Sequence, residues 1–353
     1  MAVALRNVEA AAQPPAAAPG QVPLALRRLL PLLHDALRST APAPRTRVGV
    51  MSAYHLGWTD AEGRPHGTGS GKFVRGCLAL WAAEQCGGVA SDAAPAATAV
   101  EWIHNFTLVH DDIQDGDLER RHRPTVWAVW GSAQAINAGD GMHAVAYRAL
   151  LSGRDRPAAR LRATAAVNDA ILAVIEGQCL DLALEGRVDT TVATYLQLAR
   201  GKTGALIGAA LESGAVMGGA DARRAALLRR VGVEIGVAFQ VRDDWLGIWG
   251  DSEVTGKGRG DLARRKITYP VVAGHARMRG VAQREFRRLY RQPGGDEVTL
   301  RGLLDECGAR DAVADELERR SRSAMRLLAA CGLSPGGMDD FRSIVDFVVG
   351  RAA

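Results

Sequence analysis

The sequence predicts an all-α domain on three observations. Apolar residues recur at helical spacing, as in Leu26, Leu29, Leu30, Leu33 and Leu37, whereas period-two strand alternation is scarce. Ala, Leu, Arg and Glu, all good helix formers, dominate most of the remaining chain. Short punctuation at Gly87-Gly88, Gly218-Gly219 and Pro293-Gly294-Gly295 separates segments long enough for helices. A length of 353 residues allows one large domain or two, and a hydrophobic content of 47% is ample for a core.

In chain order, residues 1–22 read as a flexible tail and 23–353 as the folded domain. Met1 to Gly20 is mostly Ala and Pro, and such a composition buries too little surface to order itself. It lacks the apolar core of a secretory signal and the Arg and Ser of a transit peptide. Docking to another protein is the obvious role left for it. Helical periodicity starts at Val22, and Tyr54 to Gly71, rich in Gly and polar residues, reads as a loop. No apolar stretch reaches the ~20 residues of a membrane span. The five cysteines, at 77, 86, 179, 307 and 331, form no CxxC pair and fit reduced thiols in a cytoplasmic protein. A net charge of +5, without Lys/Arg runs interleaved with aromatics, argues against a nucleic-acid partner.

Two acidic clusters carry the chemistry. Asp111-Asp112-Ile113-Gln114-Asp115 follows the apolar run Leu108-Val109, and Asp243-Asp244 follows Phe239-Gln240-Val241. Both clusters therefore sit on helices whose preceding turns are buried. Asp111 and Asp115 are i and i+4, so their carboxylates project from one helix face about one turn apart. Such a pair repels unless a cation bridges it. Hard carboxylate oxygens in ones and twos, completed by substrate phosphates, are what Mg²⁺ prefers. A solvated acidic helix face is the plainer alternative for either cluster alone. In a bundle, two acidic faces turned toward each other would make one cavity.

Basic residues accompany the aspartates: Lys72 and Arg75 after Gly71, Arg120-Arg121 before Pro124-Thr125, Lys202-Thr203 after Gly201, Lys257 after Gly256, and Lys266 before Thr268 and Pro270. Taken singly, each is an ordinary surface charge. Together with Ile103-His104, Ala138-Gly139-Asp140 and Gly177-Gln178, they follow a recognisable order. In these segments the chain, from about residue 24 to 350, resembles the trans-isoprenyl diphosphate synthases of the polyprenyl synthetase family, which includes farnesyl and geranylgeranyl diphosphate synthases.

The resemblance implies a single-domain isoprenoid synthase bundle. It further implies a trinuclear Mg²⁺ site held by Asp111, Asp115 and Asp243, with Asp112 and Asp244 beside them in the catalytic group. Arg120, Lys202 and Lys257 would hold the allylic diphosphate, with Thr203 and Gln240 lining that pocket. Lys72, Arg75, His104 and Arg121 would hold isopentenyl diphosphate, and Lys266 would complete the phosphate ring. For His104, a satisfied core histidine stays open as an alternative. A homodimer is the usual assembly in such a family.

The implied reaction ionises an allylic C–O bond, so cations aimed at the departing pyrophosphate favour the transition state over the ground state. The double bond of isopentenyl diphosphate attacks the carbocation, and a proton is lost to pyrophosphate. No protein nucleophile is needed. Chain length would be set one turn before Asp111: Phe106, five positions upstream, resembles the arrangement that stops growth near twenty carbons, and small Thr107 favours geranylgeranyl over farnesyl diphosphate. Phe106 as simple interhelical packing is the alternative.

Two departures stand out. The second motif ends in Gly247 where a third aspartate is usual, and Gly76 replaces the proline usual after the Lys-x-x-Arg segment. Altered second motifs also occur in terpene cyclases, but retention of Lys72, Arg75, His104 and Arg121 favours elongation. The Ala/Pro tail, with Tyr54 to Trp58 and Leu246 to Asp251, also resembles synthases carried as cargo in protein shells, with residues 1–20 as the docking segment. A regulatory subunit would show damaged phosphate ligands, and these look complete.

Overall fold

In the computed structural model, which describes residues 22–66, 71–152, 156–250, 260–292 and 296–350, helices account for nearly all regular structure. The first half runs α1 (Leu24–Arg27), α2 (Leu30–Thr40), α3 (Arg47–His55), α4 (Val74–Gln85) and α5 (Ala94–Gln114). A hairpin of β1 (Glu119–Arg120) and β2 (Arg123–Pro124) follows, then α6 (Val126–Trp130), α7 (Ser132–Leu151), α8 (Pro157–Leu184) and α9 (Val192–Ala199). A π-helical turn over Arg200–Gly204 leads into α10 (Ala205–Met217) and the long α11 (Ala222–Trp249). The chain closes with α12 (Tyr269–Arg277), α13 (Gly280–Arg291), α14 (Glu297–Glu306), α15 (Ala309–Ala329) and α16 (Pro335–Val349). Among the described residues the hairpin is the only sheet, so the all-α expectation holds.

Sequence chemistry sets the helix starts. Thr46 accepts from the Gly49 N–H at 3.0 Å, Asp221 from Arg224 at 2.7 Å, and Ser334 from Gly337 at 3.1 Å with Pro335 behind it. Each satisfies a backbone donor that a first turn leaves unpaired. One expectation shifts: Tyr54 and His55 close α3, so the loop read from Tyr54 begins at Leu56.

The core is built around α10, on which every residue from Leu206 to Met217 except Glu212 is buried. A helix apolar all round has to be wrapped by others, and α4, α8 and α11 wrap this one. Approach is closest at Gly214, where a Cβ would stand 2.0 Å from the Ala79 carbonyl oxygen of α4. Helix α5 packs along α7 and α4, and α11 along α15. The C-terminal ends of α5 and α11, which carry the two aspartate clusters, are joined by the segment 260–268. Arg264 donates to Asp117 at 2.6 Å and Lys266 to Asp115 at 2.6 Å, while the N–H of Tyr269 donates to Asp244 at 2.8 Å.

Candidate active site

Asp111 and Asp115 sit at the C-terminal end of α5, the end whose dipole repels anions, so cations are required nearby. Burial pushes the Asp111 carboxyl above its ordinary range, Lys202 pulls it down, and neighbouring Asp115 pushes it up again. Burial also works against Asp115, but the Lys266 ammonium at 2.6 Å holds it below the ordinary value. Lys202 donates to Asp181 of α8 at 2.6 Å. Burial disfavours its charge, yet Asp181 and Asp111 together raise its pKa. Two lysines thus stand among three aspartates.

Local backbone explains the position of Lys202. The π-helical turn inserts an extra residue at Arg200–Gly204, and such bulges recur at functional sites. It lies against α8 so closely that a Cβ on Gly177 would stand 2.3 Å from the Lys202 nitrogen. Gly177 is therefore needed for packing, and Gln178 beside it donates to Gln114 at 2.9 Å. The neighbouring Thr203 donates to Gln240 at 2.6 Å, bringing together the two residues expected to line one pocket.

Asp112 and Asp244, expected beside the metal ligands, each bind a neighbouring residue of the site. Asp112 lies about 100° round the helix from Asp111. It is 1% exposed, and it accepts from Arg120 Nε at 2.7 Å. Burial raises its carboxyl to about 6 against the pull of that guanidinium. The pair fixes the Arg120 side chain against α5. Asp244 is buried too, accepting from the Tyr195 hydroxyl, from Gln240 at 2.9 Å and from the Tyr269 N–H at 2.8 Å. Burial takes it to about 7 despite these donors. It orients Gln240 and the start of α12, leaving Asp243 the half-buried member of the pair.

The arginines come from a strained hairpin. Arg121 and His122 occupy the two turn positions with φ of 53° and 60°, the left-handed region, at a cost of about 1–2 kcal/mol each without glycine. Neighbours over-determine the turn. Arg123 donates to the carbonyls of Tyr54 at 3.1 Å and Thr59 at 2.9 Å and stacks 4.2 Å from the Tyr54 ring centroid. The Tyr54 hydroxyl returns a bond to the Pro124 carbonyl at 2.8 Å. The Tyr54 to Trp58 segment thus serves the hairpin from inside the fold.

Lys72, Arg75, His104 and Arg121 form a second group. Arg75 Nη1 lies 3.1 Å from His104 Nε2. Arginine can only donate, so that nitrogen accepts and the proton sits on Nδ1. Burial, with Arg75 and Arg121 adjacent, keeps the imidazole well below its usual pKa. His104 is a neutral support for Arg75, close to the core-histidine alternative. The Arg121 guanidinium crosses the Gly71 backbone, where a Cβ would stand 2.7 Å from Nη2. Lys72 is exposed, its Nζ 5.4 Å from the Phe347 ring centroid on α16. Lys257 lies outside the described residues, as do residues 1–21.

Below Asp111, buried Phe106 meets the rings of His110 at 4.9 Å and His143 at 5.2 Å, and Thr107 donates to the His104 carbonyl at 2.8 Å. Residues not anticipated are Asp181, Asp261 and Glu101. Asp181 had a signal, lying at i+3 from Gln178 on one helix face. Asp261 had none: its carboxylate occupies the space beside Gly247, where an added Cβ would stand 1.9 Å from Asp261 Oδ2.

The donor set suits a hard divalent cation. It offers carboxylate oxygens one turn apart, ringed by lysines, and among the described residues no three acidic, imidazole or thiol groups make a complete cage. An ion there would take phosphate or water oxygens for the rest of its shell. Among the described residues no helix is long and apolar enough to cross a membrane.

Residues 66–306 match the polyprenyl synthetase family model. The chain is 46% identical over 264 residues to the geranylgeranyl diphosphate synthase of Mycobacterium tuberculosis, covering 74% of each chain. It is 38% identical over 343 residues to the (2E,6E)-farnesyl diphosphate synthase of Mycobacterium bovis, covering 93% of this chain and 94% of that one. A polyprenyl synthetase from Streptomyces coelicolor A3(2) superposes with a TM-score of 0.83 at 38% identity, over 92% and 97% of the two chains. With an all-α bundle, two aspartate clusters and cations paired beside the first of them, the chain belongs to the polyprenyl synthetase family of trans-isoprenyl diphosphate synthases, the chain-elongating prenyltransferases.

Proposed function

We propose that this chain condenses isopentenyl diphosphate with allylic diphosphates (dimethylallyl, geranyl, farnesyl) to give mainly geranylgeranyl diphosphate. The observation that supports the reading is a second set of cations beyond those paired with the aspartates. Arg120, Lys202 and Lys266 are each paired with an aspartate, whereas Arg75 is backed by His104 and Arg121 lies across Gly71. A cyclase, which ionises a single diphosphate, has no use for the second group.

Asp111, Asp115 and Asp243 would hold the Mg²⁺ ions, with Asp261 as a further carboxylate beside Gly247. Bound Mg²⁺ supplies positive charge to the leaving diphosphate. Arg120, fixed by Asp112, and Lys202 grip that diphosphate, with Lys257 and Lys266 completing the ring. They stabilise the charge that grows as the allylic C–O bond breaks. Arg75 and Arg121, with Lys72, orient isopentenyl diphosphate so that its double bond faces the allylic carbon. The new C–C bond forms, the C2 proton leaves with pyrophosphate, and an allylic diphosphate five carbons longer results. Buried apolar walls keep water from the cation.

Product length rests on Phe106. Its backing by His110 and His143 supports a fixed floor to the tail pocket, and Thr107 beside it adds no bulk. Farnesyl diphosphate is the second reading, favoured by the length of the match to the M. bovis enzyme. Incubation with Mg²⁺, farnesyl diphosphate and isopentenyl diphosphate, then chromatography of the dephosphorylated products, decides: geranylgeraniol supports the reading. A cyclic hydrocarbon formed from geranylgeranyl diphosphate alone overturns it. Exposed Ile136 on α7 and Leu161, Leu172, Ile175 and Leu182 on α8 support a homodimer through that face. A monomeric mass in solution would exclude it. Shell docking through residues 1–20 is retained only if co-purification with a shell is lost on their deletion.

A further inference from the structure

The reaction scheme gives no role to a deeply buried carboxylate near the Arg75 and Arg121 guanidiniums. Glu101 on α5, one turn before His104 and Asn105, is 2% exposed. An ionised group at that depth persists only if paired. Its first partner is the Gly76 N–H, which donates to Oε1 at 2.7 Å. Gly76 is the third residue of α4, so this N–H is one of the donors a helix start leaves unpaired. The residue at the α4 N-cap, Phe73, has no side chain able to cap it and adopts a left-handed φ of 48°. The Arg75 N–H is directed to the same carboxylate. Glu101 thus caps α4 from a neighbouring helix, where negative charge also complements the dipole.

Its charge also acts at a distance on the Arg75 and Arg121 guanidiniums. Burial depresses both Arg75 and Arg121, and Glu101 is the foremost carboxylate acting against that effect on each. Residue 76 makes the arrangement possible. Proline there would remove the donor. A Cβ would stand 2.8 Å from Glu101 Cγ and 2.6 Å from Leu33 Cδ2, so only glycine supplies both the N–H and the room.

We propose that Glu101 is a positioning residue of the isopentenyl diphosphate subsite, capping through Gly76 the helix start that carries Arg75 and supplying counter-charge to the Arg75 and Arg121 guanidiniums. The proposal rests on the function assigned above. Steady-state kinetics with each substrate varied in turn test it. Glu101→Gln, which keeps the shape and loses the charge, should raise KM for isopentenyl diphosphate about tenfold, equivalent to about 1.4 kcal/mol. KM for the allylic diphosphate and kcat should stay within about twofold, a split that general loosening of the fold would not give. Gly76→Ala and Gly76→Pro form a second comparison that does not depend on Glu101→Gln folding. Both add a Cβ, but only proline removes the N–H, so the isopentenyl KM should rise several-fold further in the proline variant. Unchanged isopentenyl KM in Glu101→Gln, equal rises in both KM values, or no difference between alanine and proline would overturn the proposal. If the wild type consumes no isopentenyl diphosphate at all, the functional assignment fails instead.

Discussion

Restoring the family motif at Gly247 should damage this protein. A Cβ at 247 would stand 1.9 Å from Asp261 Oδ2 and 2.6 Å from its Cγ, so the carboxylate must move by more than an ångström in Gly247→Ala. Overpacking of this kind costs about 1–3 kcal/mol. The clashing atom is the free end of a side chain and can swing, and replacing a helical glycine returns about 0.5–1 kcal/mol, so the net loss of stability belongs at the low end. The Asp261 backbone cannot follow, because its N–H is held to the Gly247 carbonyl at 3.3 Å. The carboxylate therefore leaves its place beside Gly247 and near Asp244. Displacing an outer carboxylate of a metal site typically costs 10- to 100-fold in metal affinity or activity. Turnover measured against Mg²⁺ concentration should show a requirement raised by about that factor in both Gly247→Ala and Gly247→Asp, with little change in melting temperature. Gly247→Asp combined with Asp261→Gly should recover much of it. A Gly247→Asp single variant as active as wild type, with an unchanged Mg²⁺ requirement, would refute the reasoning.

Asp111→Ala should remove nearly all turnover without loss of fold, checked by product chromatography and circular dichroism. Asp112→Asn, which weakens the grip on Arg120, should raise KM for the allylic diphosphate more than for isopentenyl diphosphate. Phe106→Ala should shift products beyond twenty carbons, read by chain-length analysis; an unchanged profile would return Phe106 to a packing role. Stability should fall as pH drops below about 6.5, because the unfolded chain takes up protons on His55 and His104 that burial denies the native state. A shallower fall of melting temperature with pH in His104→Gln checks the sign.

The fold was legible because helix periodicity is local: Leu33 and Leu37 are buried where the spacing put them. The paired lysines and aspartates were legible by family order, and Thr203 meets Gln240 as expected. What sequence could not supply was direction. Asp111 and Asp112 are neighbours in the chain but differ by about 100° on the helix. One lies among lysines and the other is sealed against Arg120. Neither could sequence reveal substitution in space. Gly247 lies 14 positions (261 minus 247) before the carboxylate that fills its side, and no spacing rule links them. Glu101 was missed for the same reason, since its meaning depends on a helix start 25 residues away.

The last two of these misses share a cause. At Gly76 and Gly247 the chain departs from its family by deleting a side chain, and at each a carboxylate from another segment enters the space. A missing group in a motif is therefore weak evidence of lost function when the vacated volume is buried, because close-packed interiors do not stay empty. The replacing carboxylates bring charge as well as volume, one beside the second aspartate pair and one beside the paired arginines. Both departures then adjust how tightly a diphosphate is held without altering the bonds made and broken. Their signatures should appear in Mg²⁺ requirement and isopentenyl KM, and product length, proposed to rest on Phe106, should not change.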